Sequence, residues 1–286
     1  MKLWDKNNSV NEKIIEFTVG DDRLNDLYLI KYDVKASISH AKMLYRSNLL
    51  SEIECNKIIN ILNEILSQAE AGELKIEKEF EDMHSKIEYI LTDKLGDIGK
   101  KIHTARSRND QVLVSIQLYL IDELNFIKAE VKSLFDLLIN LAKKNKNIIM
   151  PGYTHMRAAM PSSFGLWFSA YAEILIDDVI SLNSTIEIIN QNTLGSAAGY
   201  GTSFNIDRDF TTNDLNFKTL KYNSLACQIS RNKIEKNTFD TLGNIAFTLS
   251  KISMDICLYS GDEFQFISFP ENITTGSSIM PHKKNP

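Results

Sequence analysis

Apolar residues recur at spacings of three and four along the middle of the chain. Val112, Ile116, Leu120, Leu124, Ile127, Val131, Leu134, Leu138 and Leu141 form a continuous stripe, the pattern of an amphipathic helix. No Gly or Pro interrupts the chain between Gly99 and Pro151, so a single very long helix is predicted there. Ser162 to Asn190 carries a similar pattern. So does Ser230 to Tyr259, with Ile234, Leu242, Ile245, Leu249, Ile252 and Ile256 on one side. Stripes of this length need neighbours to cover them, which predicts a helical bundle.

Nearer the start, Ser51-Glu52-Ile53-Glu54 fits a capping box and Gly72 a helix stop, with Ile58, Leu62, Ile65 and Ala69 turned inward between them. No segment alternates apolar and polar residues over the length of a strand, and there is no internal repeat. The predicted class is all-α, a long-helix bundle with a smaller N-terminal helical domain. The Gly96/Gly99 turn puts the boundary near Lys100 to Thr104, giving an N-terminal domain at 1–103 and a bundle domain at 104–286. The gaps between long helices, Pro151 to Pro161, Leu194 to Phe204 and Phe269 to Pro286, are rich in Gly, Ser, Thr and Pro. They read as loops at bundle ends, where function commonly sits.

Composition narrows the partners. A chain of 286 residues with 43% hydrophobic content can bury one large core or two modest ones. A net charge of only -5 provides no positive field for nucleic acid or anionic lipid. The most apolar windows, such as Leu134 to Leu141, are broken by Asp136 and Asn140 and fall short of the roughly 20 residues that span a bilayer. Asp5 and its polar neighbours occupy the place where a signal peptide needs an apolar run, so a cytoplasmic location is expected. Cys55, Cys227 and Cys257 are odd in number and widely separated, which suits reduced thiols packed in the interior.

Three polar clusters remain as candidate chemistry. His103-Thr104-Ala105-Arg106-Ser107-Arg108-Asn109-Asp110 gathers guanidinium, hydroxyl and amide groups at the start of the long helix, a combination suited to an anion. Gly152-Tyr153-Thr154-His155-Met156 holds a histidine on a proline-flanked turn, suited to proton transfer near neutral pH. Thr274 to Pro286 combines Gly276, Ser277, Ser278, Lys283 and Lys284, as in a mobile loop with a hydroxyl and nearby cations. No G-x-S-x-G elbow exists, Gly195 to Gly201 lacks the spacing of a phosphate loop, and nothing resembles a metal site.

The three clusters together resemble the three signature regions of the aspartase/fumarase superfamily, and their wording is similar to the argininosuccinate lyase branch. That branch reads close to H-T-G-R-S-R-N-D-Q-V, G-Y-T-H-L-Q and G-S-S-x-M-P-x-K-x-N-P, found here in the same order. The likeness extends to Leu3-Trp4, Asp82-Met83-His84-Ser85 and Leu194-Gly195-Ser196. It implies an aspartase/fumarase-like bundle and reversible β-elimination of argininosuccinate to arginine and fumarate, without a cofactor. It further implies a homotetramer whose active sites are shared between chains.

On this resemblance Ser277 removes the carbon-bound proton and His155 protonates the departing nitrogen. The two roles have been assigned both ways in the family, and serine is preferred as base because Lys283 shares its loop. Ser107, Arg108, Asn109, Thr154 and Asn285 match substrate-binding positions, with His84 a weaker match. A neighbouring branch, adenylosuccinate lyase, and a silent crystallin-like use of the fold are the competing readings. The sequence departs from the pattern in three places. Ala105 replaces a glycine, which matters if that backbone needs a positive φ. Met156-Arg157 replaces Leu-Gln beside His155, and His282 replaces a glutamine. The family also continues past the position of Pro286 into a C-terminal domain that is absent here, so a fragment with little or no activity is expected.

Overall fold

In the computed structural model, which describes residues 12–285, the chain begins with short helices and passes into long ones. Leu3-Trp4 and Pro286 lie outside the described residues. The helices up to the first signature cluster are α1 (Glu12–Val19), α2 (Asp22–Asn25), α3 (Ile30–Arg46), α4 (Glu52–Glu70), α5 (Met83–Leu95) and α6 (Asp97–Lys100). Then come α7 (Arg108–Asn145), a hairpin of β1 (Ile149–Thr154) and β2 (Arg157–Ser163), and α8 (Phe164–Ile189). The remaining elements are β3 (Gln191–Asn192), α9 (Arg208–Asp214), β4 (Thr219–Leu220), α10 (Ser224–Ile229), α11 (Lys233–Ser260), β5 (Thr275–Gly276) and β6 (Lys284–Asn285). Among the described residues no helix is long and apolar enough to cross a membrane.

Two compact units result, one comprising the chain up to Glu123 together with Ile186–Glu235, the other Leu124–Thr185 with the chain from Lys236 onward. In the first, α3, α4 and α5 enclose a core of Ile30, Val34, Leu44, Ile58, Leu62, Ile65, Met83, Ile87 and Leu91. The capping box at Ser51 forms as its sequence predicts: Ser51 Oγ accepts from the Glu54 N–H at 3.3 Å, and Glu54 accepts from the Ser51 N–H at 3.0 Å. Gly99 is required by packing, since a Cβ there would stand 2.2 Å from the Leu91 carbonyl oxygen.

The boundary expected near Lys100 to Thr104 falls inside this unit. The first turns of α7 belong to it, because they bury Leu113 and Val114 together with the polar Gln111, Ser115 and Gln117. Gln117 donates to the carbonyls of Ile189 and Gln191 at 3.0 and 2.9 Å. The apolar stripe therefore becomes the most buried face of α7 only further on, at Leu124, Val131 and Leu138.

In the second unit, α8 and α11 carry buried Ala172, Leu175, Leu182, Ile245 and Ile252. The Asp255 carboxylate accepts from Trp167 Nε1 at 3.0 Å and Tyr171 Oη at 2.6 Å. The segment expected to be a loop at Pro151 to Pro161 is instead an antiparallel hairpin, with Pro151 paired opposite Pro161. Most of its residues are exposed, those of both faces included, so the alternation that marks a half-buried strand is missing from its sequence. Cys55 and Cys227 are buried as expected, whereas Cys257 is exposed on α11.

Candidate active site

The first unit holds His84, Ser107, Arg108 and Asn109 in one connected polar region. Ser107 precedes α7 and its Oγ accepts from the Asn109 N–H at 3.3 Å, while Asp110 Oδ1 accepts from the Ser107 N–H at 2.9 Å. These bonds satisfy N–H groups that a helix start leaves open. Arg108 donates to Asp82 Oδ1 at 3.0 Å and to Ser85 Oγ at 3.4 Å, and stands 3.7 Å from Glu88. Glu88 also lies 3.1 Å from His103 Nδ1. Arg106 is buried and donates to Ser37 Oγ at 2.9 Å. Neither arginine is a free surface cation: protein groups hold both in place, and Arg108 is oriented by Asp82 just before α5 and Glu88 on it.

His84 is buried, with Nδ1 3.0 Å from Asp33 Oδ1. This is an ion-pair distance, although the ring nitrogen lacks hydrogen-bond alignment. Asp33 is fully buried and accepts from Gln111 Nε2 at 3.0 Å and Ser115 Oγ at 3.4 Å. Burial pushes its carboxyl above the ordinary range, and the Arg106 guanidinium opposes that push.

Ala105 adopts φ 58°, in the left-handed region. That conformation costs alanine on the order of 1 kcal/mol that glycine avoids. Ala105→Gly is therefore expected to raise stability by about 0.5–1 kcal/mol, since relief of strain exceeds the extra chain entropy of glycine. Urea denaturation checks this, and a destabilised variant would refute it.

The sequence reading missed the polar stripe of α3. Asp33, Ser37 and His40 lie at spacings of four and three, all fully buried, and that spacing was the available signal. His40 Nε2 is 2.9 Å from the Thr104 carbonyl oxygen, which only accepts, so Nε2 carries the proton. Burial, with the Arg106 charge nearby, pushes the His40 pKa down from 6.5 to about 3. The folded protein thus binds fewer protons than the unfolded chain between these values. The stability His40 contributes is complete above 6.5 and is lost as pH falls toward 3. Replacing His40 by Gln is expected to flatten stability against pH in the range 4.5–6.5 by up to about 1.4 kcal/mol per pH unit. Denaturant titrations at several pH values measure the slope, and an unchanged slope rejects this account.

The second unit holds Thr154, His155, Ser277, Lys283 and Asn285. His155 and Met156 form the two-residue turn of the β1–β2 hairpin, with φ of 50° and 61°. Two positive φ angles are what a primed hairpin turn demands, usually of Asn-Gly. The turn leaves the His155 side chain and Thr154 exposed, and Arg157 pairs with Thr154 across it. Ser277 follows β5, and its Oγ accepts from the Met280 N–H at 3.1 Å. Lys283 is exposed just before β6, Asn285 pairs with Thr275, and Lys284 is engaged by Glu271. The structure thus divides the candidate residues between the two units: those of the first lie in one polar region, while in the second Thr154 and His155 sit at the hairpin turn and Ser277, Lys283 and Asn285 on the β5–β6 segment. A cavity of about 830 Å³ lies elsewhere, lined by Tyr45, Arg46, Asn205, Asp207 and Asp209 among others, and contains none of these residues.

The sequence matches the lyase family over residues 15–286. The argininosuccinate lyase of Phocaeicola vulgatus is 51% identical over 285 residues, covering 100% of this chain and 64% of that protein. The argininosuccinate lyase of Thermotoga neapolitana is 45% identical, with 100% of this chain and 72% of that protein covered. This chain therefore spans about 64% of the length of the first of these relatives. Among solved structures, an EDDS lyase variant with bound fumarate superposes with a TM-score of 0.85 at 25% identity, covering 98% of this chain and 55% of that one. A class II fumarase from Schistosoma mansoni shares the fold with a TM-score of 0.78 at 19% identity, over 100% of this chain and 68% of the other. With its long helices, its three polar clusters in order and a match over almost its whole length, the chain belongs to the lyase family.

Proposed function

We propose that this lyase catalyses the reversible β-elimination of argininosuccinate to L-arginine and fumarate, as its relatives' names suggest. The observation that carries the reading is 45–51% identity to argininosuccinate lyases along the whole chain. In this reading Ser277 takes the proton from the carbon beside a carboxylate, and the electron pair moves into that carboxylate. Lys283 stabilises the charge that accumulates there. The carbon–nitrogen bond then breaks, leaving the double bond of fumarate, and His155 gives its proton to the departing guanidinium nitrogen. Ser107, Arg108, Asn109, Thr154, Asn285 and His84 hold the carboxylates and the amino-acid portion. The residues themselves suffice for this chemistry, without a cofactor.

The working form in this reading is a cytoplasmic homotetramer with each site built from several chains. Two features of the second unit support it. Phe239, Phe247 and Met254 on α11 are 72%, 63% and 66% exposed, and Ile176 and Ile180 on α8 are 47% and 59% exposed, more apolar surface than a helix face normally leaves to water. His155 and Lys283 are likewise exposed, whereas proton transfer needs a site sheltered from solvent. Fumarate release from a chain of its relatives' full length, followed by ultraviolet absorbance, tests the function with argininosuccinate and adenylosuccinate as separate substrates. Turnover of argininosuccinate supports the reading, and turnover of adenylosuccinate alone refutes it.

A further inference from the structure

Backbone strain gathers at two places in the second unit. His155 and Met156 hold φ of 50° and 61°, and Gln265 holds φ 52° between Phe264 and Phe266. Left-handed backbone is unfavourable for side chains other than glycine, and such residues persist only where their surroundings fix them. The hairpin register shifts between Gly152 and Tyr153, an irregularity of the kind that re-aims a side chain. The Tyr153 ring lies 5.3 Å from Phe264, edge-on at 80°, and 6.2 Å from Phe266. Phe264 and Phe266 are 5.6 Å apart, and Tyr259, near the end of α11, packs on both at 6.0 and 5.4 Å.

The chain that carries these phenylalanines is itself tied to α11. Gln265 N–H donates to the Gly261 carbonyl at 3.0 Å, and Phe266 N–H donates to the Tyr259 carbonyl at 2.9 Å. Trp167 of α8 closes the cluster against Tyr259 at 5.2 Å. Tyr153 is two residues from His155, and Phe266 opens the segment that runs into the Ser277 loop. One aromatic cluster therefore grips both strained segments where they approach the two candidate proton-transfer residues.

We propose that Tyr153, Phe264 and Phe266 form an aromatic latch that holds the His155 turn to the entry of the Ser277 loop, making the three of them positioning residues. The inference rests on the reading of His155 and Ser277 as the proton-transfer pair. The rings act through contact area and edge-to-face geometry, so the latch needs the ring of Tyr153 and not its hydroxyl. Loosening it displaces His155 without removing it, an error of position that costs rate more than affinity.

The test compares Tyr153→Leu, Phe264→Ala and the milder Phe266→Leu with the conservative Tyr153→Phe, all in the purified protein. Hydrogen exchange by mass spectrometry over residues 149–163 is expected to accelerate by about 10-fold or more in the first three, with α8 still protected as in wild type. In Tyr153→Phe it stays at the wild-type rate. With argininosuccinate, and with the same substitutions placed in a chain of its relatives' full length, the three variants are expected to lose about 10- to 100-fold in kcat with KM little changed. The pH profile of kcat shifts in them and is restored in Tyr153→Phe. Wild-type exchange in all three disrupting variants overturns the latch. A loosened hairpin with kcat and pH profile intact overturns the positioning role. The exchange measurement decides whether the latch exists whatever the activity of the protein, and absence of lyase activity from a wild-type chain of its relatives' full length overturns the function reading instead.

Discussion

Replacing Ser277 by alanine in a chain of its relatives' full length is expected to lower kcat by about 10²–10⁴-fold, the range lost when a positioned proton-transfer group is removed. Stability should barely move. The hydroxyl accepts one hydrogen bond, from the Met280 N–H in an exposed turn, and a bond of that kind is worth about 0.5–1.5 kcal/mol. The structure thus separates the two effects: Ser277 holds little together, so a large loss of rate in a normally folded variant has to come from chemistry. Thermal melts by circular dichroism and initial rates of fumarate release measure both on the same preparation. A variant with wild-type turnover would remove Ser277 from the mechanism and leave His155 as the remaining candidate base.

Asp110→Ala is expected to produce the largest loss of stability, about 3–5 kcal/mol, because three N–H groups, that of Gly195 buried and those of Ser107 and Ala197 partly buried, lose their acceptor together. Asp110 is fully buried at the start of α7. Its Oδ1 accepts from Ser107 N–H at 2.9 Å, and its Oδ2 accepts from the N–H groups of Gly195 and Ala197, each at 2.9 Å. Burial pushes the carboxyl pKa up, and the three N–H groups and the Arg106 charge push back. Only donors face the two oxygens, so the ionised form fits the geometry.

The carboxylate fixes two things together, the helix start that presents Ser107, Arg108 and Asn109 and the loop in which Gly195 and Ala197 take φ of 86° and 51°. Asp110→Asn keeps one acceptor oxygen but turns an amide N–H toward donors, and about half the loss is expected there. Urea denaturation gives both values, and a cost below about 1 kcal/mol for the alanine variant would show that the N–H groups find other partners.

Much of this was legible because it is local. The apolar periods of α7, α8 and α11 appear in the sequence, and α8 and α11 lie within a few residues of their predicted spans, whereas α3 and α5 were not picked out. The Ser51 capping box needs only residues 51–54 and forms as expected. The glycine-to-alanine departure at Ala105 raised a question of φ, and the observed 58° answers it. The β1–β2 hairpin was hidden because its exposed strands carry no alternation, and the interior place expected for Cys257 is not where it lies.

The sequence by itself determined the long helices and α4, where several of them start and stop, and which polar clusters are worth suspecting, since helix period and capping depend on neighbours within a few positions. Only the tertiary structure decided what each polar group faces. Asp33, Ser37 and His40 make an unusual stripe in the sequence, but that Asp33 meets His84 and Gln111, and Asp110 the N–H groups of Gly195 and Ala197, follows from chain segments dozens of residues away. A buried polar group is tolerated only with its partner, and the partner is supplied by the fold.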